Sequence, residues 1–115
     1  METFKELKKD FSELSDFLIA IGEKKRQSII IHMLEDNACR GLQVTSLIEA
    51  TNLSRPAISH HLKILKDVGL VNYYSEGKKN FYYLEHNMTE IIKLKSFLEE
   101  VITIMDKEGI EWKKF

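Results

Sequence analysis

Apolar residues recur at helical intervals over most of this chain, and one short stretch is β-prone instead. Spacings of three and four predict helices over residues 2–21, 24–35, 45–51 and 55–67. Two segments rich in Tyr and Val, 71–75 and 80–84, predict strands, and a last helix covers 88–107. This order predicts a mainly α fold with one β-hairpin, in which residues 1–115 form a single domain.

The second and third predicted helices have recognisable boundaries. In residues 24–35, one helical face carries Ile29, Ile30, Met33 and Leu34, and residues 37–41 break this helix. Either Thr45 or Ser46 can cap the short helix that follows.

The fourth predicted helix has two contrasting faces. Ile58, Leu62 and Leu65 recur at spacings of four and three, which predicts a buried stripe. Ser54 is suited to cap the N-terminus, and Pro56 falls in the first turn. The opposite, outward face carries short or planar polar groups around cations: Arg55, Pro56, Ser59, His60, Lys63 and Asp67. Such side chains can reach base edges from a helix that lies in the major groove of DNA, so we name it the reading helix.

The hairpin that follows is the second basic element. Gly69 can end the reading helix in a left-handed conformation. The connection from Glu76 to Asn80 supplies Gly and Asn for the turn and places Lys78 and Lys79 at its tip, where they can meet phosphates. A reading helix followed by a hairpin with a basic tip, the wing, is typical of a winged helix-turn-helix that binds double-stranded DNA.

The net charge of −1 does not by itself indicate a DNA-binding protein, so the distribution of charge along the chain has to be considered. Residues 1–23 carry −3 and residues 85–115 carry −2, whereas residues 24–51 carry +1 and residues 52–84 carry +3. The positive charge therefore coincides with the reading helix and the wing. We expect the acidic ends to keep the rest of the molecule away from DNA.

The two ends of the chain share an apolar pattern with spacings of three and four. In the first predicted helix it consists of Phe4, Leu7, Phe11, Leu14, Leu18 and Ile21. In the last helix it consists of Ile91, Leu94, Leu98, Val101 and Met105, and Ile92, Phe97, Ile102 and Ile104 widen the apolar surface. This pattern predicts a homodimer through both helices, with two-fold symmetry suited to a pseudo-palindromic site. The alternative is that the terminal helices close one monomeric core.

At the level of particular residues, the chain resembles the ArsR/SmtB family of bacterial repressors. The pattern Ser-x-Pro-x-x-Ser-x-His-Leu occupies residues 54–62, and it is followed by Gly69-Leu70-Val71, Glu76-Gly77-Lys78 and Tyr82-Tyr83-Leu84. The helix order agrees over nearly the whole chain, but in the terminal helices only the pattern corresponds. The resemblance implies a homodimeric winged-helix transcriptional repressor that an inducer releases from its operator.

The resemblance also assigns roles on the DNA-binding surface. Arg55, Ser59 and His60 fall on positions that contact bases, and Ser54 and Lys63 on positions near phosphate. Lys78 and Lys79 fall on the wing tip. For the cations the alternative is an ordinary solvated face. We expect His61, the remaining histidine of this helix, to face the core and to be satisfied by a backbone group.

The chain departs from the family at its metal-binding motifs. The family sequence Glu-Leu-Cys-Val-Cys-Asp-Leu corresponds to residues 41–47, so Gln43 and Thr45 replace both thiolates. A second family site opens the last helix with Asp-x-His, where this chain has His86-x-Met88 and no later histidine. We therefore expect no metal and no cofactor, and the inducer is not identified.

Cys39 is the single cysteine, which excludes an internal disulfide. It is either an inert residue or, as an alternative function, a redox sensor that reacts between subunits or with a small thiol. No apolar leader and no apolar run of about 20 residues occurs, so we expect a soluble cytoplasmic protein.

Two other functional classes have to be weighed. Ser59, His60 and His61 are adjacent but face different directions, and no carboxylate is spaced to orient either histidine, so we expect no enzyme activity. A winged-helix module for protein contact is the alternative function. Such a module would fill the outward face of the reading helix with apolar anchors rather than with cations and short polar groups.

Overall fold

The computed structural model describes residues 2–35 and 40–107. The helices are α1 (Glu2–Glu13), α2 (Ser15–Ile21), α3 (Lys24–Glu35), α4 (Val44–Thr51), α5 (Arg55–Asp67) and α6 (Thr89–Lys107). Strands β1 (Val71–Glu76) and β2 (Lys79–Leu84) follow α5 and precede α6 along the chain, and they pair antiparallel. The predicted mainly α fold with a hairpin wing is confirmed, and α5 is the reading helix. Cys39, Asn37 and Ala38, part of the predicted break after α3, lie outside the described residues.

The chain separates into two compact units. The first, here called the terminal unit, contains α1 and α6, and the second, the central unit, runs from Asp16 to Met88. In the terminal unit the rings of Phe11 and Phe97 stack with their centroids 4.7 Å apart. Glu13 and Lys93 form an ion pair, which lowers the pKa of the carboxyl and raises that of the ammonium. These contacts join α1 to α6.

The predicted first helix over residues 2–21 is wrong, because Leu14 separates α1 from α2. The Ser15 hydroxyl donates to the Phe11 carbonyl over 3.2 Å, and a side-chain bond of this kind to the preceding turn bends a helix. In α2 the buried residues are Phe17 and Ala20. The apolar pattern predicted for the first helix continues with Leu18 and Ile21. It therefore does not identify the residues that are buried after Leu14.

The core of the central unit is built from four helices and the first strand of the wing. Its fully buried members are Ala20, Ile29, Met33, Leu47, Ile58, Leu62, Leu65 and Val71. The three from α5 are the predicted buried stripe, which is confirmed. Because this stripe packs inward, the outward face of α5 is left accessible.

Two expectations about α3 and α4 are wrong. Leu34, predicted on the apolar face of α3, is 61% exposed, and Arg26 joins Ile29 and Met33 on the buried face instead. Helix α4 begins at Val44 after Gln43, an extended residue that makes no side-chain cap bond, so neither Thr45 nor Ser46 caps this helix. In both cases packing between helices overrides local preference.

The end of α5 is set by Gly69, as predicted. Gly69 has φ +82°, and its N–H donates to the Lys66 carbonyl over 3.0 Å. The N–H of Leu70 donates to the Leu65 carbonyl over 3.0 Å, which completes a Schellman motif. This motif satisfies the last carbonyls of α5 and turns the chain into β1.

The wing has a shorter turn than the predicted connection from Glu76 to Asn80. Glu76 pairs with Lys79, so only Gly77 and Lys78 form the turn. Gly77 has φ +62°, which matches the first central residue of a type II′ hairpin turn. Lys78 thus lies at the tip, and Lys79 lies in β2 opposite a carboxylate.

The last helix begins at Thr89, one residue later than predicted, and none of its residues is buried. Phe4, Phe11, Ile91, Ile92, Leu98 and Ile102 are exposed on α1 and α6. Along the parts of the chain that the structure describes, no helix has both the length and the apolar character needed to cross a bilayer.

Candidate nucleic-acid interface

Local hydrogen bonds build the turn that aims α5. Asn52 ends α4 with φ +59°, and its N–H donates to the Ile48 carbonyl over 2.9 Å. The Ser54 hydroxyl accepts from the Ala57 N–H over 3.3 Å, so Ser54 is the predicted N-cap of α5, and Pro56 occupies the first turn. Each of these residues has a conformational preference that suits its place. The helix-turn-helix angle is therefore encoded locally.

The outward face of α5 is accessible, as predicted. Arg55, Pro56, Ser59, His60, Lys63 and Asp67 are all exposed. Lys63 Nζ lies 3.4 Å from Asp67 Oδ2, with 75% and 62% of the two side chains exposed. An ion pair so open to water is weak, and Lys63 is free to exchange it for a phosphate.

Four of the predicted site residues converge on one cleft of about 360 Å³, here called the cationic cleft. Its lining residues are Gln43, Val44, Thr45, Arg55, Ser59, Lys78, Lys79, Asn80 and Tyr82. Three of them are cations, and none of the described lining residues is acidic. Clustered cations without a carboxylate create a positive potential that favours an anion such as a backbone phosphate.

The sequence did not identify four of the polar residues in this cleft. Gln43 and Thr45 enter from the start of α4, and Asn80 and Tyr82 from β2. The sequence singled out Gln43 and Thr45 only as replacements for thiolates. Their amide and hydroxyl groups suit hydrogen bonding to phosphate oxygens better than soft-metal ligation.

A second cleft of about 270 Å³ lies between α5 and the wing. Ser59, Lys63, Lys66, Tyr73 and Tyr82 are among its lining residues. Lys66 Nζ lies 5.9 Å from the centroid of the Tyr73 ring, which is a cation–π distance. Burial raises the pKa of the Tyr82 phenol above its usual value. Ser59 lines both clefts.

The two histidines of α5 face different environments. His60 is exposed, whereas 12% of the His61 side chain is exposed. The expectation that a backbone group satisfies His61 is wrong, because its Nδ1 lies 3.2 Å from Nη1 of Arg26. An arginine in a helical segment is ordinarily expected on the surface, so the sequence did not predict the contact between Arg26 and His61.

Metal ligands do not cluster in the part of the chain that the structure describes. Within residues 2–35 and 40–107, no three His, Cys, Asp or Glu side chains lie close enough to hold a metal ion. His86 is exposed, and Cys39 lies outside the described residues.

Comparison with known proteins gives concordant similarities. Residues 24–73 match the profile of bacterial regulatory proteins of the arsR family. An HTH-type transcriptional regulator of Methanocaldococcus jannaschii is 35% identical over 85 residues, which are 73% of this chain and 92% of that protein. The arsenical resistance operon repressor of Staphylococcus aureus is 32% identical over 82 residues, 71% of this chain and 75% of that protein.

Solved structures have the same architecture. Reduced HlyU from Vibrio cholerae superposes with a TM-score of 0.64 at 27% identity, covering 77% of this chain and 90% of that one. An ArsR-like transcriptional regulator from Rhodococcus superposes with a TM-score of 0.72, covering 85% of this chain and 84% of that one. At 24% identity the second similarity concerns the fold alone.

Proposed function

Because the chain belongs to the ArsR family of DNA-binding transcriptional regulators, we propose that it is a homodimeric repressor that occupies a pseudo-palindromic operator and leaves it when an inducer binds. The observation that carries this proposal is the cationic cleft. It joins the start of α5, the start of α4 and the wing around one positive site beside an accessible helix face.

The residues of this surface divide into two roles. Arg55, Ser59 and His60 contact base edges in the major groove, with Arg55 suited to two hydrogen bonds to guanine. Ser54 and Lys63 contact the backbone beside α5. In the cationic cleft Lys78 and Lys79 neutralise phosphate charge, and such contacts position the protein without specifying sequence.

A second copy of the chain is the occupant that we propose for the exposed apolar face of the terminal unit. Six large apolar residues of α1 and α6 are exposed. A concentration of exposed apolar side chains on one unit favours an interaction site. Leu14 has no exposed surface and is left out of the proposed interface. The proposed interface residues of the terminal unit are Phe4, Leu7, Phe11, Ile91, Leu94, Leu98, Val101 and Met105. Leu18, which the sequence pattern grouped with them, lies in α2 of the central unit.

Repression then follows from occupancy. Two copies of α5 enter successive major grooves about 34–36 Å apart, and the dimer interface sets this separation. An inducer releases the protein if it binds more tightly to an arrangement with a different separation. Because Gln43 and Thr45 stand where the family has thiolates, the inducer acts elsewhere than at that soft-metal position.

Selection of bound fragments from random DNA tests the function directly. Purified full-length protein is expected to enrich an inverted repeat whose half-sites lie about 10–10.5 base pairs apart, or a multiple of this. Light scattering at micromolar concentration is expected to return twice the 13.5 kDa of one chain. A monomeric mass would contradict the dimer, and the absence of any enriched sequence would contradict specific DNA binding.

A further inference from the structure

Arg26 is a buried cation that closes the end of α2. Only 8% of its surface is exposed. Nε donates to the Ala20 carbonyl over 2.7 Å, and Nη2 donates to the Ile19 carbonyl over 3.4 Å. Both carbonyls lie in the last turn of α2, where carbonyls lack helical partners and a cation is favourable. A buried guanidinium needs such partners, because unpaired it would be very costly.

The same guanidinium reaches α5. Nη1 lies 3.2 Å from Nδ1 of His61, 35 positions further along the chain. A guanidinium carries donors and no acceptor, so His61 Nδ1 has to accept, which requires neutral His61 with its proton on Nε2. Because the guanidinium donors form a rigid planar fork, Arg26 joins the end of α2, the start of α3 and the reading helix in one fixed geometry.

Glu23 holds Arg26 in place from the other side. Its carboxylate accepts from the N–H of Lys25 over 3.1 Å and from the N–H of Arg26 over 3.0 Å. These bonds, the first above all, keep the pKa of Glu23 below its usual value, so the carboxylate stays ionised. Oε2 of Glu23 lies 4.0 Å from both Arg26 Nη1 and His61 Nδ1, which compensates the buried positive charge.

This cluster lies directly behind the proposed DNA-binding face. Ser59 and His60 immediately precede His61 in the sequence, and both are exposed. The imidazole rings of His60 and His61 have centroids 5.7 Å apart. Successive helix residues are separated by about 100°, so the rotation that fixes His61 also fixes where its neighbours point. Contacts with base edges require placement within about 0.5 Å.

We propose that Arg26, acting through His61, is a positioning residue for DNA binding: it holds α5 at the rotation that presents Ser59 and His60 to the base edges, and it does so only while His61 is neutral. The proposal rests on the proposed use of α5 as the reading helix. Neither Arg26 nor His61 contacts DNA. Protonation of His61 removes the acceptor and brings two cations together, so the contact between α3 and α5 opens.

The direction of the pH effect follows from the groups around His61. Burial lowers the pKa of His61 below its usual 6.5, Glu23 raises it, and Arg26, His60 and Lys25 lower it. Helix α4 and strand β1 also pack against α5, and neither contributes a charge that shifts this pKa. Because the folded protein disfavours protonation, DNA affinity is complete above pH 6.5 and falls as the pH drops through the lowered value.

The test compares dissociation constants for a duplex that the protein itself selects from random sequence. Fluorescence anisotropy with the full-length protein is run from about pH 8 to about pH 5.5 at constant ionic strength. His61→Asn keeps an acceptor near the Nδ1 position but cannot be protonated. The rise of the dissociation constant on acidification is expected to be at least about threefold larger in the wild type than in this variant.

His86→Asn is the matched control, because it makes the same change at an exposed histidine outside the proposed DNA-binding surface. It is expected to keep the full loss of affinity at low pH, since its His61 is intact. Equal pH profiles for wild type and His61→Asn would overturn the proposal, as would wild-type affinity in a folded Arg26→Lys variant, whose ammonium cannot span three acceptors. Folding of each variant is checked by circular dichroism.

One measurement needs no variant. In wild-type protein labelled with ¹⁵N and ¹³C, the ring shifts of His61 are expected to show an unprotonated Nδ1 and a protonated Nε2 above about pH 7. The opposite tautomer would overturn the Arg26–His61 hydrogen bond. Failure to select any duplex at about pH 8 would instead refute the proposed function, and the positioning role with it.

Discussion

Leu42 and Tyr82 exchange two backbone hydrogen bonds. The Leu42 N–H donates to the Tyr82 carbonyl over 2.7 Å, and the Tyr82 N–H donates to the Leu42 carbonyl over 2.8 Å. Such a reciprocal pair is the unit of an antiparallel ladder, here formed between the segment before α4 and strand β2. Because Gln43 follows Leu42 and Tyr82 lines the cationic cleft, this pair joins two walls of the cleft.

Gly41→Ala is expected to destabilise the protein by about 2–4 kcal/mol, because it adds both strain and a clash. Gly41 has φ +92°, and an added Cβ would lie 2.9 Å from the Cβ of Phe81 and 3.3 Å from a ring carbon of Tyr74. Denaturant unfolding measures the loss. Gly69→Ala is the control, since Gly69 has φ +82° and nothing within 4 Å, so strain alone costs roughly 1–2 kcal/mol. Equal losses of stability in the two variants would show that the wing shifts to accommodate the added Cβ at Gly41.

Arg55→Ala is expected to reduce discrimination at one base position of each half-site by about 1–3 kcal/mol. The physical reason is the loss of two parallel hydrogen bonds from the Arg55 guanidinium to one base. Competition binding with duplexes that carry single base substitutions measures it. Lys95→Ala, on the exposed side of α6, serves as the control. A uniform loss over all duplexes would reassign Arg55 to a phosphate contact.

Lys78→Ala combined with Lys79→Ala is expected to flatten the dependence of log affinity on log salt by up to about four units per dimer. Each phosphate contact releases counterions, and the wing would contribute two such contacts per subunit. All sequences should weaken alike, because phosphate carries no sequence information. Lys5→Ala with Lys95→Ala removes two exposed lysines of the terminal unit and should leave the slope unchanged. An unchanged slope in the wing variant would contradict the wing assignment.

Leu98→Asp is expected to convert the protein to a monomer, because it places a charge within the proposed interface. Leu98 is 50% exposed in one chain. Light scattering should then return 13.5 kDa, and operator affinity should fall because two reading helices are no longer linked. Leu34→Asp introduces the same charge at an exposed position of α3 and should leave the mass unchanged. If Leu98→Asp keeps the wild-type mass, the interface lies elsewhere.

Much of the reading helix and the wing was predictable, because their determinants lie within a few residues of each other. The buried stripe of α5 follows from a helical period, its cap from Ser54, and its end from the left-handed conformation of Gly69. The predicted wing connection, from Glu76 to Asn80, was too long, because Glu76, Lys79 and Asn80 lie in the paired strands. Its true length depends on the pairing of Glu76 with Lys79, a register that strand propensity does not specify.

Other features required the tertiary structure. The break at Leu14 interrupts an apolar pattern that continues through it, and the exposure of Leu34 contradicts its hydrophobic character. In both places the packing of neighbouring elements decides which face is buried. A single sequence with several apolar positions per turn does not determine that choice.

The sequence by itself determined the reading helix and the wing that we propose to bind DNA, since helical period, cap chemistry and charge act over short distances and agree at residues 52–84. Only the tertiary structure brought Gln43 and Thr45 to the cationic cleft and placed Arg26 against His61. Arg26 and His61 are 35 positions apart in the sequence, and Leu42 and Tyr82 are likewise distant. Whether a polar side chain is solvated or buried with a partner depends on elements that meet only in the folded chain.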